Sequence, residues 1–388
     1  MTGHKLESSA TSIMSYALQT LWHEKARYAA GVGAVAFSAV LIALQVGLLL
    51  GLFEITSIPV DYTSADIWVG ANDVESVDLG RPIPLSDMGR LDRPGVAMPE
   101  LLYIAFANWT KTSGGSNLCM VIGSSLNPDA AGAATVLTPE MRTALTFPNT
   151  VVVDRSDLDR LGMKEIGDKG KINGQEVTLV GIVSGLKSLA APWVFCSQTT
   201  ARNLIKITNP SYADHTTYLI ARTDSPERAR EVVQELRKEY PEMSAYTADE
   251  FSRRSRWYWL TRTKAGIAIG YAALLGLLVG AVITAQTLYS ATMASAREFA
   301  TLLALGIPRR KIYGLVLAQS FWVGLIGVLV AYPVVRLLAV GADAAGTKVQ
   351  LRWEVLAGAA AITLATAILA GIIALRSVRR IEPMSLLR

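Results

Sequence analysis

The residues that ordinarily carry chemistry are sparse in this chain of 388 amino acids. Its three histidines, His4, His23 and His215, are scattered over what the remaining sequence divides into two compartments, so they form no metal cluster. The run Gly181-Ile-Val-Ser184-Gly185 misses the nucleophile-elbow spacing by one residue, and Ser184 reads as a loop serine. Two cysteines, Cys119 and Cys196, cannot make a disulfide framework; one bridge and two buried thiols both remain open. A Gly-x-x-x-x-Gly-Lys-Ser/Thr loop does not occur, so the chain does not cradle ATP by that route. No catalytic residue, metal or cofactor is therefore expected. What stands out is a docking chemistry. Arg297, Glu298, Phe299, Leu302, Leu303 and Leu305 form a short amphipathic helix, Gly306 supplies a left-handed helix end, and Pro308 restarts the chain before Arg309, Arg310 and Lys311. An apolar face of Phe299, Leu302 and Leu303 flanked by basic residues fits a protein partner.

The composition explains what positions that elbow. Hydrophobic residues make up 51% of the chain and charged residues 18%, below the roughly 25% of soluble proteins, with a mean hydropathy of +0.34. Four stretches lack Asp, Glu, Lys and Arg altogether: Tyr28–Phe53, Ala265–Ala296, Ile312–Val335 and Val355–Leu375. Each reaches the roughly 20 residues needed to cross a hydrocarbon core of about 30 Å. The first is too long for the core of a signal peptide and follows 27 residues, which reads as a retained anchor.

Charge sets the expected orientation. With the N-terminus cytoplasmic, the inner segments 1–27, 297–311 and 376–388 carry eleven Lys and Arg against four acids. The long segment 54–264 carries 23 basic and 26 acidic residues, and the short outer loop 336–354 is nearly neutral. The net charge of +5 thus lies in short inner loops beside spans, which removes the case for nucleic-acid binding. Membrane lipid is the expected surrounding.

The fold class expected is an α-helical membrane protein with four spans in a 1 + 3 arrangement and a mixed α/β extracytoplasmic domain between the first two. The segments run 1–27 (amphipathic lead-in helix), 28–53 (first span), 54–246 (α/β domain), 247–296 (stalk and second span), 297–311 (elbow), 312–335 (third span), 336–354 (outer loop), 355–375 (fourth span) and 376–388 (tail). Within the domain, Val151–Asp154 reads as a strand followed by a capping pattern at Ser156 to Asp159. Lys171-Ile-Asn173-Gly174 before Val177–Val183 reads as a hairpin with a type I′ turn. Ser225-Pro226 opens a helix whose Ala229, Val232, Val233 and Leu236 share a face, stopped by Pro241. Thr247-Ala-Asp-Glu250 is a capping box that starts one helix running to Ala296, about 70 Å at 1.5 Å per residue, with Trp257, Tyr258 and Trp259 at the interface. The alternative is a break near Ser255.

The elbow sequence from Arg297 to Ile312 resembles the signature of MacB/FtsX-type ABC permeases: Arg and Glu at the helix start, then Leu-x-Ala-Leu-Gly, basic residues and Ile. The tail, with Arg379, Arg380, Pro383 and the closing Leu-Arg, resembles that family's ending, and Ala17-Leu18 to Lys25-Ala26-Arg27 its lead-in helix. The single outside domain and the Arg-Glu-Phe-Ala-Thr-Leu run resemble the DevC-like branch most. Gln319, where many relatives carry an acid, and Pro333, inside the third span, depart from the pattern. The resemblance implies a bacterial inner-membrane homodimer, both termini cytoplasmic and the large domain periplasmic. It implies a separate ABC ATPase subunit that binds the ATP, touches the elbow and tail, and drives the outside domain by mechanotransmission. The function implied is export of a lipid, glycolipid, peptide or other hydrophobic compound, with a membrane-fusion adaptor and an outer-membrane channel as further partners. The alternative is an FtsX-like mechanotransmitter regulating an extracytoplasmic cell-wall hydrolase. The most polar residues of the spans, Gln45, Gln286 and Gln319, are uncharged, which disfavours an ion-driven carrier.

Overall fold

The computed structural model describes Gln19 and residues 25–378, apart from 113, 133, 187, 189, 190, 345–348 and 350. The lead-in helix before residue 25 and the tail residues Arg379, Arg380 and Pro383 lie outside the described residues. In chain order the elements are α1 (Lys25–Asp61), β1 (Ile67–Ala71), β2 (Ile83–Pro84), β3 (Val96–Thr110), β4 (Ser116–Ser124), α2 (Pro139–Ala144), β5 (Thr150–Asp154), α3 (Leu158–Leu161), β6 (Lys169–Ile172) and β7 (Gln175–Val183). There follow β8 (Trp193–Ser197), α4 (Gln198–Ile205), β9 (His215–Thr216), β10 (Tyr218–Thr223), α5 (Pro226–Glu239), β11 (Met243–Thr247), α6 (Ala248–Arg262), α7 (Lys264–Ala294), α8 (Ala296–Ala304), α9 (Arg309–Ala344) and α10 (Trp353–Val378). They divide into two compact units, residues 52–267 and the remainder.

The helical unit holds the apolar parts of α1, α7, α9 and α10, each long and apolar enough to cross a membrane. Half of the apolar window of α1 is buried against its neighbours, but only 17% of that of α7, so α1 is the packing centre. Between equally apolar surfaces close packing and polar contacts must supply the attraction, and small residues let helices approach. Gly280 of α7 faces Ser38 of α1 closely enough that the Ser38 hydroxyl donates to the Gly280 carbonyl at 2.8 Å and accepts from Thr284 at 3.0 Å, all of it buried. A Cβ at Gly327 of α9 would meet Val35 of α1 at 2.7 Å. Pro333 does not interrupt the third apolar stretch: α9 runs unbroken through it.

The α/β unit is built on one nine-stranded sheet in the order β11-β1-β10-β3-β4-β8-β5-β7-β6. A second pairing, Trp109 with Ile172 and Thr110 with Lys171, brings β6 back to β3 and closes six strands into a small barrel. Two of its pairings, β4–β8 and β5–β7, are parallel; the others are antiparallel. The shared strands bury both faces. Tyr103, Ala107, Trp109, Cys119, Val121, Val151, Val153, Val194 and Cys196 belong to one core, while Leu102, Ile104, Met120, Ile122, Val152 and Phe195, each next to one of these in sequence, belong to another. That is why these strands read as near-continuous apolar runs rather than alternating ones. A third core lies under α5, where Ala229, Val232, Val233 and Leu236 meet Ile67, Val69 and Leu219.

Local signals fold as the chain spells them. Asn173 and Gly174 take φ of 49° and 87° between β6 and β7, the type I′ turn. The Ser225 hydroxyl accepts from the Arg228 N–H at 3.2 Å, and Thr247 and Glu250 make the reciprocal capping box at the start of α6. Two expectations need correction. The cap after β5 is Asp154 rather than Ser156, its carboxylate accepting the Ser156 N–H at 2.8 Å. The helix beginning at Ala248 is not one rod to Ala296, and it does not break near Ser255. It ends at Arg262, with Thr263 extended (φ −97°, ψ 144°), before α7 begins. Thr263 serves both ends: its hydroxyl donates to the Trp259 carbonyl at 2.6 Å and accepts the Gly266 N–H at 3.0 Å.

Cys119 and Cys196 are free and buried in the barrel core. Burial pushes the Cys119 thiol up to about 12, and burial together with the neighbouring Cys119 pushes that of Cys196 higher still. A thiolate-selective reagent at mildly alkaline pH is expected to leave both untouched in the native protein and to titrate both in denaturant; rapid native labelling of either would contradict this core.

Candidate functional site

Among the described residues the elbow is the segment to which the sequence assigned a role, and its geometry follows from local rules. The chain leaves α7 at Ala294, turns at Ser295 (φ −86°, ψ 2°) and enters α8. At the far end Gly306 takes φ +82°, its N–H bonding the Leu303 carbonyl at 3.0 Å while the Ile307 N–H bonds that of Leu302 at 3.1 Å. This pair of bonds is the Schellman closure, and it needs a residue tolerant of the left-handed region. Pro308 precedes α9, where the Lys311 N–H returns to its carbonyl at 2.9 Å.

Burial redraws the expected docking face. Phe299 is 1% exposed and Ala300 fully buried, packed against Ile312, Leu315 and Val316 of α9, with Leu302, Leu303 and Ile307 half-buried at the edge. The apolar face of α8 is thus taken up by the chain's own next helix. The outward surface is Arg297, Glu298, Thr301, Leu305, Gly306, Arg309, Arg310 and Lys311, all exposed. Leu305, 75% exposed, is the large apolar side chain presented among these charges. The structure therefore brings Arg297, Glu298, Leu305 and the basic triplet onto the open side, and moves Phe299 inside.

Sequence reasoning missed the partners that take up Phe299. The signal was available: Ile312, Leu315 and Val316 stand at i, i+3 and i+4 at the start of α9. It also missed the Ser38–Thr284 contact, because single hydroxyls in apolar stretches carry no periodicity. Of the three span glutamines, Gln319 is 7% exposed, Gln45 half-buried and Gln286 exposed. Among the described residues no group of three His, Cys, Asp or Glu side chains could hold a metal. Ser184 lies in an exposed bend beside Gly185 at φ +97°.

Residues 270–383 match the family model described as FtsX-like permease C-terminal. That stretch takes in the elbow, all of α8, α9 and α10 and most of α7. No curated protein matches the chain. Among solved structures the chain is similar to the periplasmic region of MacB from Actinobacillus actinomycetemcomitans, at 12% identity over 50% of this chain and 94% of that one, TM-score 0.35. It is similar to the extracellular domain of the noncanonic ABC-type transporter YknZ from Gram-positive bacteria, at 10% identity over 47% and 98%, TM-score 0.32. A domain of a putative permease protein from Porphyromonas gingivalis matches at 14% identity over 49% and 91%, TM-score 0.32.

Phe299→Ala is expected to cost about 3–5 kcal/mol, the usual loss for a buried aromatic, and to lower the unfolding midpoint of the purified protein. Leu305→Asp, at an exposed position, is expected to stay within about 0.5 kcal/mol of the parent. Equal effects of the two would contradict the inward packing of α8.

Proposed function

We propose that the chain is the permease subunit of an ATP-driven ABC exporter in a bacterial inner membrane, most akin to the DevC-like branch, working as a homodimer with a separate ATPase. The observation that carries this reading is the elbow: a short braced helix inside the FtsX-like region, presenting Leu305 between Arg297 and the Arg309–Lys311 triplet. An exposed leucine in a segment that also exposes Arg297, Arg309, Arg310 and Lys311 suits a partner groove that is apolar at its floor and acidic at its rim. Because Phe299 and Ala300 tie α8 to α9, force on Leu305 is borne by the helix pair rather than absorbed by a loose loop. The termini are cytoplasmic and the α/β unit periplasmic in this reading, which follows the Lys and Arg bias. Movement passed along α7 then acts on that unit, where an adaptor protein and an outer-membrane channel complete the route for a hydrophobic substrate. The tail with Arg379, Arg380 and Pro383 is assigned to the same ATPase contact.

The test is a pull-down of the full chain with its co-expressed ATPase. Leu305→Asp, and separately Arg309→Glu with Arg310→Glu, are expected to reduce the co-purified ATPase and its stimulated turnover at least tenfold while membrane insertion is unchanged. Survival of both the complex and the stimulation in these variants overturns the assignment of the elbow.

A further inference from the structure

The outer wall of the barrel carries a cleft of about 240 Å³ that the elbow does not explain. It opens where β3 runs past β6. The last paired residues there are Thr110 and Lys171. Beyond them the Thr112 hydroxyl donates to the Lys169 carbonyl at 2.6 Å, so the two segments are clasped on both sides of Lys111 and Gly170. A Cβ at Gly170 would run into the Trp109 ring, so the backbone of β6 lies flat on that ring. Lys169 and Lys171, on either side of the buried Gly170, are exposed on the outer face.

Three ammonium groups and one carboxylate line the cleft. Glu176 of β7 stands across from Lys171 in the β6–β7 ladder but is spent on Lys169, at 2.7 Å. That hydrogen bond and the charge of Lys169 hold the Glu176 carboxyl below its usual range, with Lys171 adding to the effect. Asp168, next to Lys169 in sequence, is taken up by the N–H groups of Lys164 and Glu165 at 2.7 and 3.2 Å. Lys111 and Lys171 therefore have no ion-pair partner among the described residues, and the Thr110 hydroxyl has no hydrogen-bond partner among them. The stem of Lys111 lies along Gly162, where a Cβ would stand 3.1 Å from its Cδ. A side chain held in this way loses less freedom when it meets a ligand.

The kinds of side chain set the kind of anion. The lining has no arginine and no large apolar group. A carboxylate is best met by the planar fork of arginine, whereas ammonium groups act as point charges and suit the spread charge of a phosphate. A phosphate monoester carries about 1.5 to 2 negative charges at neutral pH, which two unpaired ammonium groups match. The volume equals roughly eight water molecules at about 30 Å³ each. That admits the phosphate and little of what it is attached to, so the rest of the ligand stays in solvent.

We propose that this cleft binds a phosphate monoester, with Lys111 and Lys171 as its cationic contacts and the Thr110 hydroxyl as a further donor. The inference concerns the α/β unit alone and goes beyond the permease reading without resting on it.

The experiment titrates glycerol 3-phosphate into the full chain, purified in an uncharged detergent, by isothermal titration calorimetry. One saturable site per chain is expected, weakening about three-fold from low to physiological salt because the contacts are exposed. Lys111→Ala and Lys171→Ala are each expected to weaken binding about five-fold, while Lys164→Ala, outside the lining, leaves it unchanged. Glu176→Gln frees Lys169 and removes the carboxylate, and is expected to tighten binding about two-fold. Malonate, a dicarboxylate of similar charge, is expected to bind about five-fold more weakly than the ester. Phosphatidic acid in mixed micelles separates the sources: competition by it assigns the phosphate to a lipid head group, and failure to compete assigns it to a soluble compound. Absence of a saturable site, malonate binding as tight as the ester, or a loss in Lys164→Ala equal to that in Lys171→Ala overturns the proposal. Each of these outcomes leaves the ATPase pull-down unaffected, so the two readings fall separately.

Discussion

A hydrocarbon layer offers a peptide group nothing to bond, so a backbone that enters it must satisfy itself within a helix and leave its charges behind. That constraint shapes the rest of this chain. Four helices carry the apolar residues, and the ionisable groups are pushed into the segments between them. Once charge is excluded, helix association depends on fit and on a few hydroxyls, which is why Gly280, Ser38 and Thr284 meet where they do. It also makes the short connections chemically conspicuous. Arg297 and Arg309–Lys311 lie at the ends of apolar helices because the apolar layer excludes them.

The α/β unit answers a different constraint. A strand with one wet face alternates apolar and polar residues, but β3, β4, β5 and β8 separate two cores and are apolar on both faces. Closing six of the strands through the β3–β6 pairing lets a short stretch of sheet enclose a core of its own, with the two thiols inside it. Met120 and Trp193 lie on the other side of the same strands, in the second core. One long strand, β3, ties the barrel to the open half of the sheet.

The parts legible in the sequence were those specified within a few residues. Charge-free length gave the four apolar helices; Asn173-Gly174, Ser225-Pro226, the Thr247–Glu250 box and Gly306 each dictated a local geometry that the chain adopts. The barrel was not legible, because the register of β6 against β3 joins residues about sixty apart and leaves no local mark. The inward turn of Phe299 escaped for a related reason. An amphipathic helix announces that one face is apolar, not whether a partner or the chain's own next helix covers it.

The break at Thr263 bears on how any movement could travel between α7 and α6. A continuous helix would carry a push as a rod, and a flexible loop would dissipate it. This joint is neither. The Thr263 hydroxyl bonds both helices at once, the Ile267 N–H returns to the Thr263 carbonyl at 3.0 Å, and a Cβ at Gly266 would overlap the Trp259 carbonyl. Those bonds and a contact that admits no side chain hold the backbone on both sides of Thr263. Trp259, whose carbonyl forms one side of that joint, also donates its indole N–H to the Asp78 carboxylate at 3.2 Å.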